Sequence, residues 1–314
     1  MAIDLRSLRS FVTIASTGSI SAAAEMLHIA QPALSIQIKN LEDQLGSSLF
    51  SRHARGVKLT ATGDRFLLHC VDILKRVDLA YTDIRSATED PSGTVAVGLP
   101  QSIAKFVAVP LVLQTINFYP KIRLQMIEIS TGYIADQLLR GLIDIGLTFG
   151  QVDEVRIRST HLLDEELVLV TAASASLMNN KVMPSKKNLD LRELSTIPMI
   201  LPTGAHSLRR RIEDCLSQEK ISLNIIAEVN TVPQLVELAA SGIASTILSY
   251  ASVSDHEKAG RIQTFKLGHP PLSRPIYSCQ SATSPMTIAA MKVEQLLCRI
   301  IEQQIDEGFW LPKK

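Results

Sequence analysis

Three helical patterns in close succession at the start of the chain constrain its fold more than any other sequence feature. Apolar residues recur at helical spacing over positions 5–15, and Gly18 ends this first helix. Ser19 is placed to cap a second helix, Pro32 stands in the first turn of a third, and Gly46 ends it. Two short helices, a tight turn and a third helix predict a helix-turn-helix.

The outward-facing side chains of the third helix are of the kind that contact DNA bases. Amide and hydroxyl groups can hydrogen-bond base edges in the major groove, and apolar groups can contact thymine methyl groups. One face of the helix carries Gln31, Ser35 and Lys39, with Pro32, Ile36 and Asn40 beside it. An ordinary solvated face is the alternative, and the helix by itself does not decide between the two.

A basic turn follows the third helix directly. Arg52, Arg55 and Lys58 lie around Gly56. Three permanent cations beside a helix-turn-helix would hold DNA phosphates, which position a protein on DNA without reading its sequence. Solvated surface charge is the alternative, but the place directly after the third helix favours a phosphate-binding wing. Residues 1–60 are therefore predicted to form a winged helix-turn-helix DNA-binding domain.

Residues 61–92 are predicted to form a long linker helix followed by a hinge. Apolar residues here recur at alternating steps of four and three, as in a coiled-coil seam. The seam consists of Phe66, Cys70, Ile73, Val77, Ala80 and Ile84. A helix packed on its own domain is the alternative, but roughly six turns are more than a small domain covers. A helix from a second copy would bury the seam and pair two recognition helices on a symmetric operator.

From residue 93 onward, strands alternate with helices, which predicts an open α/β sheet. Strands are predicted at 94–99, 122–129, 143–149, 167–172, 198–201, 225–229, 244–248 and 275–280, and helices at 104–118, 134–141, 208–219, 232–241 and 287–305. The last strand and helix follow both sets, so we expect them to return to the first. Residues 93–162 and 267–314 would form lobe I and 163–266 lobe II, facing each other across a cleft.

Small polar residues follow several predicted strands, where helix N-termini would point backbone N–H groups into the cleft. These residues are Gln101, Ser102, Ser130, Thr131, Thr148, Pro202, Thr203, His206 and Thr246. Ordinary helix capping is the alternative at each position, but convergence from both lobes favours a shared effector site. Donors without a balancing acid suggest a small anion, such as a carboxylate or an inorganic oxyanion. The run Arg209, Arg210, Arg211 would add positive charge, although such a run opening a helix is usually solvated.

Composition limits the remaining classes of function. The net charge of +1 restricts any nucleic-acid contact to a local patch. The four cysteines show neither CxxC nor zinc-site spacing, so we expect reduced thiols and no metal site. The start lacks a signal-peptide pattern, and apolar runs stay short of the ~18 residues that span a bilayer, so a cytoplasmic protein without membrane contact is expected.

An enzyme and an architectural DNA-binding protein are the alternatives to a ligand-controlled regulator. The sequence has no G-x-S-x-G elbow, P-loop, G-x-G-x-x-G after a strand, or H-E-x-x-H. Ser102 and His206 could act as nucleophile and base, but nothing indicates an acid to orient them. A large two-lobed half argues against a purely architectural role. We therefore expect no enzymatic activity and no cofactor.

Residues 1–65 resemble the DNA-binding domain of the LysR-type transcriptional regulators. The resemblance rests on residues in register that include Phe11, Gly18, Ser19, Ala22, Ala23, Ala24, Leu27, Gln31, Pro32, Ala33, Leu34, Ser35, Ile38, Leu41, Glu42, Leu45, Gly46, Leu49, Phe50, Arg52, Arg55, Leu59, Thr60 and Gly63. It implies base contacts at Gln31, Pro32, Ser35 and Ile36. Many members carry a polar or basic residue in place of Ile36, which leaves the base preference there open.

The same resemblance implies the remaining architecture and the partners. The expected fold is α/β, with an N-terminal winged helix-turn-helix, a long linker helix and a C-terminal two-lobed effector domain similar to periplasmic binding proteins. The expected function is promoter binding to double-stranded DNA, modulated by a small-molecule effector in the cleft. The linker helix would form a homodimer, and two dimers a homotetramer. RNA polymerase is a further candidate partner.

Overall fold

The computed structural model describes residues 3–53, 56–85, 91–173, 188–308 and 310. Arg55, one of the three predicted wing cations, lies outside the described residues, as does the side chain of Ile84 in the predicted seam. In the described part of the chain no helix is both long and apolar enough to cross a membrane.

The described residues up to Leu59 form three helices and a two-stranded wing, as predicted. The helices are α1 (Leu5–Thr17), α2 (Ile20–Leu27) and α3 (Gln31–Leu45), and the strands are β1 (Phe50–His53) and β2 (Gly56–Leu59). Gly18 adopts the left-handed conformation that ends α1, and the Ser19 hydroxyl accepts a hydrogen bond from Ala22 N–H as the cap of α2. Phe11 is fully buried at the centre, with the rings of Phe50 and Phe66 at 5.1 and 5.2 Å.

The linker helix α4 (Ala61–Arg85) has two different halves. Its first half closes the core of the winged domain, where Cys70 is fully buried and Phe66 contacts Phe11. The prediction that Phe66 and Cys70 begin a dimer seam is therefore wrong, because both side chains already pack on their own domain. Ile73 is 42 % exposed, so the seam left open for a partner begins there.

The remaining described residues form an α/β domain with seventeen successive elements. In chain order they are β3 (Gly93–Leu99), α5 (Gln101–Phe118), β4 (Ile122–Glu128), α6 (Thr131–Leu139), β5 (Ile145–Thr148), β6 (Ile157–Ala172), β7 (Asn188–Leu189), a 3₁₀ helix (Leu191–Thr196), β8 (Pro198–Leu201), α7 (Ser207–Gln218), β9 (Asn224–Glu228), α8 (Val232–Ala240), β10 (Thr246–Ser249), α9 (Tyr250–Lys258), β11 (Ile262–Leu267), β12 (Ser273–Ser281) and α10 (Ile288–Asp306).

These elements form two lobes that share two long strands. Lobe I contains β3–β5, α5, α6 and α10, with sheet order β4-β3-β5-β12-β6, and lobe II contains β7–β11 and α7–α9. Strand β6 pairs with β12 along residues 157–166 and then with β10 and β11 along residues 167–172. The predicted strand 167–172 is thus only the second half of β6, and the lobe boundary falls within this strand.

Four elements of lobe II have no counterpart in the sequence prediction, namely β7, the 3₁₀ helix, α9 and β11. Helix α9 buries Ala251, Ser252, Val253 and Ser254, which are small or hydroxyl residues, so no apolar helical period marks it. Strand β11 buries Ile262, Phe265 and Leu267, whose unequal spacing breaks the alternation that predicts a strand. Helix α10 packs on α5 and β3, which confirms that the chain returns to lobe I.

The linker helix contacts lobe I directly. Lys75 and Asp144 form a salt bridge of 2.9 Å, and Arg140 lies 3.5 Å from Asp64. A Cβ atom placed on Gly141 would lie 2.1 Å from a methyl carbon of Val71, so only glycine permits this approach. The effector domain therefore touches the helix that closes the winged domain.

Candidate DNA-binding surface and effector cleft

Helix α3 presents its N-terminal half to solvent. Gln31, Pro32 and Lys39 are exposed, Ile36 is 60 % exposed, and Ser35 is half-buried. The N-cap residue Ala30 makes no side-chain capping bond, so the backbone N–H groups of Gln31 and Ala33 stay available to a phosphate, while Pro32 has none. The structure thus brings together the predicted base-contacting side chains at one accessible helix end.

Contacts on the opposite side fix how α3 is presented. Leu34, Ile38 and Leu41 are buried in the winged core. The Gln37 side-chain amide donates to Ser7 Oγ at 3.2 Å and accepts from Ser10 Oγ at 3.0 Å, which ties α3 to α1. A helix held by both packing and hydrogen bonds can present base-contacting groups without first being ordered.

The wing is attached to the helices by two sets of hydrogen bonds. Glu42 Oε1 of α3 accepts from the backbone N–H groups of Leu49 and Phe50 at 2.6 and 3.1 Å. Val57 N–H donates to Gly18 O at 2.9 Å, and a Cβ atom on Gly56 would lie only 2.4 Å from that oxygen. Glycine at position 56 therefore lets the wing lie against the turn between α1 and α2.

Two of the predicted wing cations are placed as a phosphate contact requires. Arg52 on β1 and Lys58 on β2 are both exposed. Within the described ranges neither of them forms an ion pair, so their charge is available to a ligand. Both residues belong to the wing that Glu42 ties to α3.

A cavity of about 860 Å³ lies between the two lobes. Six of the nine residues predicted for the effector site line it: Gln101, Ser102, Ser130, Thr131, Thr203 and His206. They come from the starts of three helices, two in lobe I and one in lobe II. The structure therefore brings these six residues of the two lobes together at one cavity.

The other three predicted residues do not line the cavity. Thr148 is fully buried and donates to Gly150 O at 2.8 Å. Pro202 is buried, and its carbonyl oxygen accepts from Arg209 Nη1 at 3.2 Å. Thr246 begins β10 with its hydroxyl buried and without a partner among the described residues. Because β10 runs on to Ser249, that residue and Ser252 reach the cavity in its place.

Five helices of the described chain begin at the cavity. The N-cap residues of α5, α6, α7, α8 and α9 all line it, and these are Pro100, Ser130, His206, Thr231 and Ser249. The hydroxyl groups of Ser130, Thr231 and Ser249 make no capping bond to their own helices. Helix N-termini carry partial positive charge and free N–H groups, so their convergence favours a bound anion.

Arg274 on β12 is a buried cation that lines the cavity and was not predicted from the sequence. Its guanidinium carbon lies 3.5 Å from the centroid of the Phe149 ring, and Nη2 lies 3.5 Å from Ser102 Oγ. The side chain is only 3 % exposed and pairs with Glu165 of β6. A charged residue opening a buried strand was the available signal, but its partner lies in the half of β6 that was not predicted.

The neighbouring arginine run has three different environments. Arg209 is buried and paired with Glu213 and Glu228, so the expectation of a solvated run is wrong for this residue. Arg211 Nε donates to Ser273 O at 2.8 Å. Arg210 is exposed and lines the cavity. One acid, Glu128, also lines the cavity, which corrects the expectation of donors without any acid.

His206 combines capping with a perturbed protonation equilibrium. Its Nδ1 accepts from Leu208 N–H at 3.2 Å, which leaves Nε2 to face a ligand. Burial lowers the pKa of His206, and the positive charges of Arg274 and Arg210 lower it further. The ring is therefore neutral at neutral pH, and an anion that offsets the two arginines would favour its protonation.

The arrangement of these groups is unlike a hydrolytic site. Ser102 Oγ accepts from Arg274, and no hydrogen bond joins Ser102 to His206 in the residues that the structure describes. No group of three or more metal-ligating side chains occurs in the same part of the chain. The hydroxyl that an enzyme would use as a nucleophile thus faces a guanidinium donor instead of a base.

Comparison with known families covers most of the chain. Residues 5–64 match the model described as bacterial regulatory helix-turn-helix protein, lysR family. Residues 88–297 match the LysR substrate binding domain. Among curated proteins, the nitrogen assimilation regulatory protein nac of Klebsiella aerogenes is 28 % identical over 302 residues, which are 96 % of each chain.

Solved structures share the complete fold. A full-length variant of OxyR from Pseudomonas aeruginosa superposes with a TM-score of 0.80 at 21 % identity, covering 96 % of this chain and 95 % of that one. Full-length CbnR complexed with its target DNA superposes with a TM-score of 0.54 at 22 % identity, covering 95 % and 99 %. With both family models matched in order, the chain belongs to the LysR family of DNA-binding transcriptional regulators, which carry an effector-binding domain and are not enzymes.

Proposed function

We propose that the chain binds a two-fold symmetric promoter site in double-stranded DNA, with α3 in the major groove and the wing on phosphates. The observation that carries this proposal is the exposed start of α3 beside an exposed basic wing whose described cations are unpaired. Gln31, Pro32, Ser35, Ile36 and Lys39 would contact bases or their immediate surroundings. Arg52 and Lys58, together with Arg55 from outside the described residues, would hold phosphates.

A dimer through the second half of α4 would supply the symmetry. Ile73 is exposed there at 42 % after the first half has packed on the winged core. Helix α5 carries a second apolar face, on which Val109, Leu113 and Ile116 are 66, 55 and 59 % exposed. Two such faces per chain support a tetramer built from two dimers. Contact with RNA polymerase stays a prediction.

The effector would be a small anion bound in the cavity between the lobes. Five helix N-termini, the Arg274 guanidinium and the exposed Arg210 all favour negative charge at this place. Gln101, Ser102, Ser130, Thr131, Thr203 and His206 would supply further hydrogen bonds. The Glu128 carboxylate opposes an anion, but it is exposed and therefore well screened by solvent.

Effector binding would act on DNA binding through the position of lobe I. An effector shifts the protein only if it binds two arrangements of the lobes with different affinity. Lobe I holds the linker helix through the Lys75–Asp144 salt bridge and the contact of Val71 with Gly141. A change of angle between the lobes would therefore reach α4, and through it the spacing of two winged domains.

Measuring binding to a promoter fragment and to random DNA tests the DNA-binding proposal. We expect Ser35→Ala or Gln31→Ala to weaken operator binding by about 1–3 kcal/mol while random-DNA binding changes little, because base contacts act only on the cognate sequence. Gln44→Ala is the matched control, since Gln44 is an exposed amide at the other end of α3. Equal loss on both DNAs would refute base contacts by these residues.

A thermal-shift screen of small carboxylates and oxyanions tests the effector proposal. Compounds that stabilise the protein would be added to operator-binding assays of the wild type and of Ser102→Ala and Thr131→Val. We expect both variants to bind operator normally but to respond less to the compound. Thr196→Val is the control, since Thr196 is an exposed hydroxyl residue outside the cavity. An undiminished response in the two cleft variants would show that the effector binds elsewhere.

A further inference from the structure

Arg274 occupies a special place in the chain, where β12 and β6 pass between the two lobes. In the register of these strands Arg274 lies directly opposite Glu165, and both residues are nearly inaccessible. A buried guanidinium must be paired, because an isolated charge in the interior is strongly destabilising. Its Nε donates to Glu165 Oε1, which supplies the required counter-charge.

Glu165 is itself held in place from the last part of the chain. Its second oxygen, Oε2, accepts from the indole Nε1 of Trp310 at 2.8 Å. Trp310 is 1 % exposed and packs near Phe106 of α5. With one oxygen on Arg274 and the other on Trp310, the carboxylate has a single orientation. The Glu165 carboxylate therefore holds the guanidinium of Arg274 in one position.

Arg274 lines the cavity, and its two terminal nitrogens carry N–H groups that remain available as donors. Nη1 has no hydrogen-bond partner among the described residues, and Nη2 has only the distant Ser102 Oγ at 3.5 Å. The Phe149 ring lies against the group, with its centroid 3.5 Å from the guanidinium carbon. Nη1 and Nη2 therefore carry oriented N–H groups that are not used by Glu165, which is bound at Nε.

The shape of this donor pair selects the ligand. A planar guanidinium fork matches the two oxygens of a carboxylate, whereas an ammonium group offers only a point charge. The cavity of about 860 Å³ is also lined by Phe149, Ile129, Tyr133 and Leu248. A bare inorganic oxyanion would leave this apolar wall uncovered, whereas an organic acid would bury it.

We infer that Arg274 is a specificity-determining residue that receives the carboxylate of an organic acid effector, and that Glu165 and Trp310 are the positioning residues that aim it. This inference rests on the proposed effector site and adds the ligand class and the residue that recognises it. A bound carboxylate would accept from the terminal N–H groups of Arg274 that Glu165 does not use.

The fluorescence of a tryptophan near Arg274 can be used to follow carboxylate binding. Trp310 is the only tryptophan in the sequence, and its N–H group bonds to the carboxylate that holds Arg274. Any ligand that draws the guanidinium forward changes the charge next to the indole. Binding of a carboxylate should therefore alter the tryptophan emission of the intact protein.

The experiment titrates full-length protein with acetate, succinate, glutarate and phenylacetate, each beside its neutral amide, and with sulfate and phosphate. Tryptophan emission and melting temperature are followed together. We expect at least one carboxylate to give a saturable change that its amide does not give. Arg274→Lys keeps the charge that Glu165 needs but loses the fork, so affinity should fall by at least about tenfold. Arg192→Lys, at an exposed arginine of lobe II outside the cavity, is the matched control and should leave the affinity unchanged.

Glu165→Gln provides a second variant whose result does not depend on that loss. With Glu165 neutral, the full charge of Arg274 is available to the ligand, so carboxylate affinity should rise although the unliganded protein is less stable. A purely structural role would lower stability without raising affinity. This variant also keeps the inference testable if Arg274→Lys does not fold.

Three outcomes would overturn the inference. One is unchanged carboxylate affinity in Arg274→Lys, and another is binding of sulfate or phosphate as tight as that of the best organic acid. The third is no response of the wild type to any carboxylate. Operator binding measured on the same preparations separates the two levels: if it is specific, the regulator proposal stands while the assignment of Arg274 fails.

Discussion

The winged domain and the effector cleft form their sites in opposite ways. The proposed DNA-binding surface comes from 28 consecutive positions, 31–58, whose geometry follows from two helix caps and one tight turn. The cleft collects five helix starts and one strand residue that are spread from Pro100 to Arg274. A site built from neighbours in sequence can be predicted residue by residue, whereas a site built by topology can be predicted only at the level of its elements.

A core substitution should destabilise the winged domain strongly and leave the C-terminal domain stable. Phe11→Ala removes the fully buried ring between Phe50 and Phe66, which should cost the winged domain about 3–5 kcal/mol. DNA binding should be lost, while effector-dependent stabilisation of the C-terminal domain should remain. Calorimetry with and without ligand would resolve the two transitions.

A different outcome of that experiment would also be informative. If the effector domain melts earlier by the same amount, the two regions unfold as one cooperative unit. The contact between α4 and lobe I, through Lys75 and Asp144, would then be strong enough to couple them. The independence of the two regions would have to be abandoned.

The same contrast explains which parts of the fold were predictable. Helices α1 to α3 were predicted with their caps, because apolar period, Ser19, Pro32 and Gly46 are all local signals. The lobes were predicted from alternating strands and helices, and the return of the last helix to lobe I was confirmed. Helix α9 was missed because its buried side chains are alanine, valine and serine.

In the cleft, too, residues with a local sequence signal were predicted, whereas residues placed by distant parts of the chain were not. Polar residues at helix starts, such as Ser130 and His206, were found because capping has a sequence signature. Thr246 was wrongly included, because sequence alone does not show that β10 continues to Ser249. Arg274 was missed because its meaning depends on Glu165, 109 positions away, and on pairing of two strands whose register no local pattern specifies.

A smaller loss of DNA affinity is expected at the wing. It would distinguish phosphate contacts from base contacts. Arg52→Ala should weaken binding to operator and random DNA alike and reduce the salt slope by about 1, because one phosphate contact is lost. Binding constants measured over a range of salt concentrations give this slope. Arg192→Ala, which removes an exposed arginine from lobe II, is the control. An unchanged slope in Arg52→Ala would exclude a phosphate contact at this position.

The weakest of these effects is a pH dependence of stability, which arises from His206 in the cleft. Because burial and the arginines at 274 and 210 lower the pKa of His206 from its ordinary value of 6.5, the unfolded chain binds its proton more readily than the folded one. Stability should therefore fall as the pH drops below that ordinary value, and His206→Gln should remove this part of the decline. Melting temperatures between about pH 5 and pH 8 measure it, with the exposed His161→Gln as control.

A bound anion should reverse the direction of that linkage. Burial and, after it, the charges of Arg274 and Arg210 lower the pKa of His206, and a bound anion offsets only the two charges. Ligand binding should therefore favour proton uptake at Nδ1, which would break the bond from Leu208 N–H. Affinity for a carboxylate should then increase as the pH falls toward about 6, and His206→Gln should make it independent of pH in this range. Calorimetric titration in two buffers of different ionisation enthalpy counts the proton directly. A proton released on binding would contradict the placement of the anion beside His206.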